Sequence, residues 1–115
     1  MKHRTLKFKS DKFRKSRGGY SRWLLVFCKK CKAPTVVYQK DGPGILKRLY
    51  VDRVVGPKLH GKNLVCGKCK TVLGMRTIYQ KEKRFVYLLF VGAVGKTIVS
   101  GEKFRQALTV VERSI

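Results

Sequence analysis

Acidic side chains are scarce in this chain. Six Asp and Glu stand against 28 Lys and Arg, which leaves a formal charge of +22 over 115 residues. A free globule with so much like charge repels itself, so its compact state calls for an acidic polymer or surface as counter-charge, and nucleic acid is the default partner. Few carboxylates and only two histidines leave no acid–base constellation. The chain therefore reads as a binding or structural protein, not an enzyme, with no small-molecule substrate. Long apolar runs are missing as well. The longest, Phe85 to Val91, falls far short of the roughly 20 residues that span a bilayer. Trp23 to Phe27 is too short for the apolar region of a signal peptide. No membrane association is expected, and the location expected is cytoplasmic. Disorder, the usual consequence of such a charge, is opposed by a hydrophobic content of 43% that includes six Phe, five Tyr and one Trp.

What remains is a single small domain. At this length burial alone gives marginal stability, and self-repulsion erodes it, so a staple is expected. Cys28-x-x-Cys31 and Cys66-x-x-Cys69 use every cysteine present. Two such pairs supply four thiolates for one tetrahedral divalent ion. Zn²⁺ with four sulfur ligands is a closed structural site, with no position left open for a substrate. The 34 residues between the pairs exceed the usual ribbon separation of about 15–20, so the ribbon is expected to carry an enlarged hairpin. A redox or disulfide role and four unrelated thiols are the alternatives, and a cytoplasmic setting opposes persistent disulfides. His60 and His3 receive no metal role because four cysteines complete the shell.

Charge divides the chain into three parts. Residues 1–22 hold nine Lys or Arg against Asp11 alone and read as an extended basic arm ending near Arg17-Gly18-Gly19-Tyr20. Residues 23–84 form the zinc-ribbon body with its enlarged inter-knuckle hairpin. Strands are expected at Trp23–Phe27 and Val36–Gln39, and a turn at Asp41-Gly42-Pro43-Gly44. Ile45 to Val55 fits a helix or a strand and is taken as strand, stopped by Gly56-Pro57. Residues 85–115 complete the core. Phe85–Val91 reads as the most clearly buried strand, and Ser100 reads as the cap of a helix whose Phe104, Ala107, Leu108 and Val111 fall on one face. The fold class expected is small α+β: a zinc-ribbon-like β-rich body, a long basic N-terminal extension and one C-terminal helix. Gly92 to Thr97 imitates a phosphate loop but has two residues, not four, between its first glycine and Gly95-Lys96. Gly92 and Gly95 therefore read as a turn between strands.

The arm's cations, Lys2, Arg4, Lys7, Lys9, Lys12, Arg14, Lys15, Arg17 and Arg22, are candidates for phosphate contact, with Tyr20 the candidate for stacking on an unpaired base. Trp23 reads as core. Lys29, Lys30, Lys32, Lys68 and Lys70 surround the sulfurs and are read as presenting cations to phosphate, in preference to a merely solvated cluster. Each such contact releases a counterion, so binding should be tight at low salt and weaken as salt rises. DNA readout by a recognition helix is not expected, since the one helix lies in the least charged third.

A short basic chain with an extended arm, a small β-rich body and Cys28-Lys29-Lys30-Cys31 paired with Cys66-Gly67-Lys68-Cys69 resembles the zinc-ribbon ribosomal proteins. The resemblance covers the arm and the chain to about residue 79. Knuckles of that class commonly carry Gly just after the second Cys, where Lys32 and Lys70 stand here. The resemblance implies a ribosomal component that binds ribosomal RNA, threads its arm between RNA helices, docks its zinc body on the surface and touches neighbouring ribosomal proteins, without forming homo-oligomers. Two alternatives stay open: a zinc-ribbon subunit or factor of a transcription or RNA-processing complex, and a reversibly bound translation factor.

Overall fold

A continuous apolar run from Trp23 to Phe27 forms most of β1 (Ser21–Cys28), which pairs antiparallel with β2 (Pro34–Asp41), Leu24 opposite Tyr38 and Val26 opposite Val36. The computed structural model describes residues 21–42 and 44–113. The candidates Lys2, Arg4, Lys7, Lys9, Lys12, Arg14, Lys15, Arg17 and Tyr20, with Pro43 of the expected turn, lie outside the described residues. Two four-stranded antiparallel sheets follow. One runs β4-β2-β1-β8, with β4 (Val54–Gly56) and β8 (Val94–Val99) at its edges. The other runs β3-β7-β6-β5, from β3 (Arg48–Tyr50), β7 (Arg84–Leu89), β6 (Val72–Tyr79) and β5 (Asn63–Val65).

The sheets share one core. Val26, Val36 and Tyr38 from the first meet Leu49, Leu64, Leu73, Val86, Tyr87 and Leu89 from the second. A second cluster covers the far side of the first sheet, where Trp23 and Val37 pack on Phe104, Ala107, Leu108 and Val111 of α1 (Phe104–Arg113). The Trp23 and Phe104 rings lie 4.7 Å apart, so Trp23 belongs to the core. The layers are helix, sheet, sheet, and β2 is buried from Thr35 to Gln39 because its sheet is covered on both faces. The molecule is thus small and β-rich with one C-terminal helix. No helix among the described residues is long and apolar enough to cross a membrane.

Several local expectations need correction. Residues 45–55 are not one strand: β3 and β4 belong to different sheets, joined by a 3-10 turn at Val51–Arg53. The ambiguous apolar spacing there reflects a chain that crosses from one sheet to the other, pinned by the Tyr50 N–H donating to the Tyr38 hydroxyl at 2.8 Å. The run Phe85–Val91 is only half buried: Val86, Tyr87 and Leu89 are buried, while Phe85, Leu88, Phe90 and Val91 are exposed. Ser100 makes no side-chain cap; a 3-10 turn at Gly101–Lys103 precedes α1 and takes up part of the helix start. Gly92 is a turn residue with φ +75°, but Gly95 lies within β8 beneath the Phe27 ring, where an added Cβ would fall 2.3 Å from a ring carbon. Residues 85–115 therefore serve both sheets, β7 pairing with β6 and β8 with β1.

Candidate metal centre

The two Cys-x-x-Cys turns are built alike. Between β1 and β2, the Cys28 N–H donates to Ala33 O at 2.9 Å and the Lys32 N–H to Cys28 O at 2.8 Å. Between β5 and β6, the Cys66 N–H donates to Thr71 O at 2.9 Å and the Lys70 N–H to Cys66 O at 3.0 Å. Closing each turn requires a left-handed residue after the second cysteine, and Lys32 and Lys70 adopt it with φ +66° and +64°. An L-residue there costs about 1–2 kcal/mol, which is why glycine is usual at such positions. The knuckle geometry forms all the same.

One knuckle belongs to each sheet, and the sandwich brings their four sulfurs together. Cys28 Sγ lies 3.7 Å from Cys69 Sγ, Cys31 Sγ lies 3.5 Å from Cys66 Sγ, and all four fall within 4.8 Å of one another. Four thiolates held at about 2.3 Å around one ion define a tetrahedron with edges of about 3.8 Å. The 3.5 and 3.7 Å separations are close to that figure and all four sulfurs stay within 4.8 Å, so the four cysteines lie close enough to hold one metal ion. Cys28 and Cys66 are buried, Cys31 and Cys69 half-buried, and all four are unbridged thiols. His60 is exposed and takes no part in the cluster.

The metal-free thiols differ from one another. The Thr71 hydroxyl, 3.0 Å away, and then a backbone hydrogen bond from Thr71 pull Cys69 down to about 6. At Cys31 a backbone hydrogen bond from Ala33 acts downward, but burial and the facing sulfurs of Cys66, Cys69 and Cys28 outweigh it and push the thiol up to about 11. Four thiolates and a divalent ion carry a net charge of −2, and the cations stand ready to offset it.

Lys29, Lys30, Lys32, Lys68 and Lys70 are all exposed around this end of the sandwich. Lys70 Nζ donates to Gly67 O at 3.1 Å, and Lys32 Nζ sits 5.9 Å from the Phe27 ring centroid. Arg22 is elsewhere: half-buried, it faces Lys40 across the strands, six residues up β1 from Cys28 and roughly 20 Å away at about 3.3 Å per residue.

Other polar features have no signal in the sequence. Asp41 and Arg53 form a buried ion pair at 3.3 Å, and Asp41 also accepts from Ser21 at 2.7 Å. Arg48 lies over Tyr79 and Arg84 over Tyr50, at 4.2 and 4.3 Å from the ring centroids. The partners are 12 or more residues apart: strand pairing within the second sheet joins each Arg–Tyr pair, and the chain's return from β3 to the first sheet brings Arg53 to Asp41. A cleft of about 200 Å³ beside Asp41 is lined by Lys40, Lys47, Arg48 and Arg53. Burial, then Lys96 and Arg22, lower the Lys40 pKa. Compared with protein families, with curated proteins and with solved structures, the chain matches none.

Proposed function

We propose that this protein is a structural constituent of the ribosome that binds ribosomal RNA through its basic arm and through the lysines of a zinc-clasped body. The observation that carries the reading is the charge: +22 on 115 residues, with five lysines exposed around the cysteine tetrad. Each lysine that meets a phosphate releases a counterion, so affinity comes from many weak contacts and not from a recognition helix. Zinc is the metal proposed, since four thiolates in a closed tetrahedral set suit it and leave no coordination position for catalysis. Its role is to hold the two sheets in one orientation so that both knuckles present their cations together. Arg22 and the arm residues contribute further positive charge, and neighbouring ribosomal proteins complete the surroundings.

The test is to pellet ribosomes from the source cells through a high-salt sucrose cushion and quantify this chain's peptides against known ribosomal proteins. A one-to-one ratio is expected. Loss at high salt with presence at low salt would make it a reversibly bound translation factor. Absence at both would place it with transcription or RNA-processing complexes.

A further inference from the structure

The two sheets differ in their outer faces. The first is covered by α1. On the second, Tyr50 and Val86 are buried, but the part of the same face that runs from Leu88 and Met75 toward Val65 and Phe90 is exposed. Val65, Val72, Met75, Leu88 and Phe90 are each 40–51% exposed. The strand register makes them one strip. Val65 faces Val72, and Met75 faces Leu88. A bulge at Leu73 turns that residue into the core and leaves Val72 on the same side as Met75. Phe90 extends the Leu88 side, its N–H donating to Leu73 O at 2.9 Å. With about 150–200 Å² for a fully exposed side chain of this size, the strip presents roughly 400 Å², within the range of patches that are commonly functional.

The charges around the strip are of one sign. Arg48 sits directly across from Leu88, Lys62 precedes β5, and Lys70 precedes Thr71-Val72. The nearest carboxylates on this sheet side, Asp52 and Glu82, are both engaged by Arg84 at the other end. We propose that this strip docks a partner protein through an apolar helix face flanked by Asp and Glu. A helix is what covers the equivalent face of the first sheet, and a sheet face finds its cover in a helix or another sheet. Acidic flanks answer Arg48, Lys62 and Lys70. A second copy would bring the same cations face to face, and the chain's own first 20 residues are strongly basic too. RNA finds little to stack on, since four of the five side chains are aliphatic. Lys70 borders both the knuckle cluster and the strip, but the five apolar side chains are distinct from the knuckle lysines, so this inference does not depend on the ribosomal reading.

The experiment uses the full chain, zinc-loaded, and its Met75→Thr/Leu88→Thr variant, which changes no charge and keeps strand-forming residues. The probe is a synthetic amphipathic helical peptide with leucines along one face and glutamates on both flanks, and its counterpart has lysines on the flanks. By fluorescence anisotropy the glutamate-flanked peptide should bind the native chain, lose at least tenfold in affinity for the variant, and bind at least tenfold more tightly than the lysine-flanked one. Zinc content, melting temperature and affinity for an RNA oligonucleotide should be the same in both proteins. Absent binding, or equal binding by the variant, overturns the proposal. So does a tenfold loss of RNA affinity in the variant, which would make the strip an RNA surface, or self-association in sedimentation that the variant abolishes. Peptide binding seen only after deletion of residues 2–17 overturns it in favour of the chain's own arm.

Discussion

Removing the metal should cost this protein a large part of its stability, and the size of the loss can be worked from the topology. Cys28 and Cys31 lie at the end of the β1–β2 hairpin in one sheet, Cys66 and Cys69 at the end of the β5–β6 hairpin in the other. A metal held by all four cross-links the sheets and closes a loop of 34 residues between Cys31 and Cys66. By the chain-entropy relation for a cross-link, a loop of that length restricts the unfolded ensemble by about 4 kcal/mol at 25 °C. Small domains have a total of about 5–15 kcal/mol, and at about 4 °C per kcal/mol the melting temperature should fall by at least ~15 °C. The assay is calorimetric melting of the zinc-loaded protein and of the same protein stripped by chelator under reducing conditions, with metal content verified by elemental analysis. Cys28→Ser/Cys66→Ser should behave like the stripped protein. If verified metal-free protein melts within about 3 °C of the loaded form, the clasp is not structural and the reasoning fails.

Three further outcomes are expected. In metal-free protein, Cys69 should be alkylated by iodoacetamide ahead of Cys31 at pH 7.5, because its folded pKa of about 6 makes it a thiolate there while Cys31, at about 11, stays protonated. Lowering the pH through 6 should quench the Cys69 reaction, and peptide mapping showing Cys31 labelled first would contradict this. The depressed Cys69 pKa favours the folded state above its unfolded value near 9.0, and that contribution disappears as pH falls through about 6. Gly74→Ala would place a Cβ 2.6 Å from Leu88 O and 3.2 Å from Leu89 Cα, both main-chain atoms. Forcing β6 and β7 apart should cost about 3 kcal/mol in urea unfolding, against about 1 kcal/mol for Gly92→Ala, where space is open and only the positive φ resists. Arg53→Met and Asp41→Asn should each cost about 3–5 kcal/mol by stranding a buried charge, and the double variant should cost less than their sum. Strict additivity in that cycle would show that the two side chains are not coupled.

Much of the metal site was legible in the sequence because both halves of it are local. Each Cys-x-x-Cys carries its own turn, and the same pair of backbone hydrogen bonds closes both knuckles whatever surrounds them. The α1 face was legible for the same reason, since Phe104, Ala107, Leu108 and Val111 repeat at the helical period and are all buried. Ile45 to Val55 was not, because its apolar residues answer to two sheets and no single periodicity describes a chain that changes layers. Phe85 to Val91 misled in the opposite direction. Its continuous apolarity reads as burial along its whole length, yet only Val86, Tyr87 and Leu89 are buried, while Phe85 on one face and Leu88 on the other are exposed.

Composition and local pattern by themselves determined that this is a strongly basic, small β-rich chain with two Cys-x-x-Cys pairs and a C-terminal amphipathic helix. Charge count, turn chemistry and helical spacing need no knowledge of distant residues. Only the tertiary structure decided that the two knuckles belong to different sheets, so that a bound ion would tie the sandwich together instead of pinning one ribbon. It alone joined Asp41 to Arg53 and Arg48 to Tyr79, and it alone left Val65, Val72, Met75, Leu88 and Phe90 on an outer face. These are outcomes of which strand pairs with which. Strand pairing is fixed by contacts far apart along the chain, where local propensity carries no information.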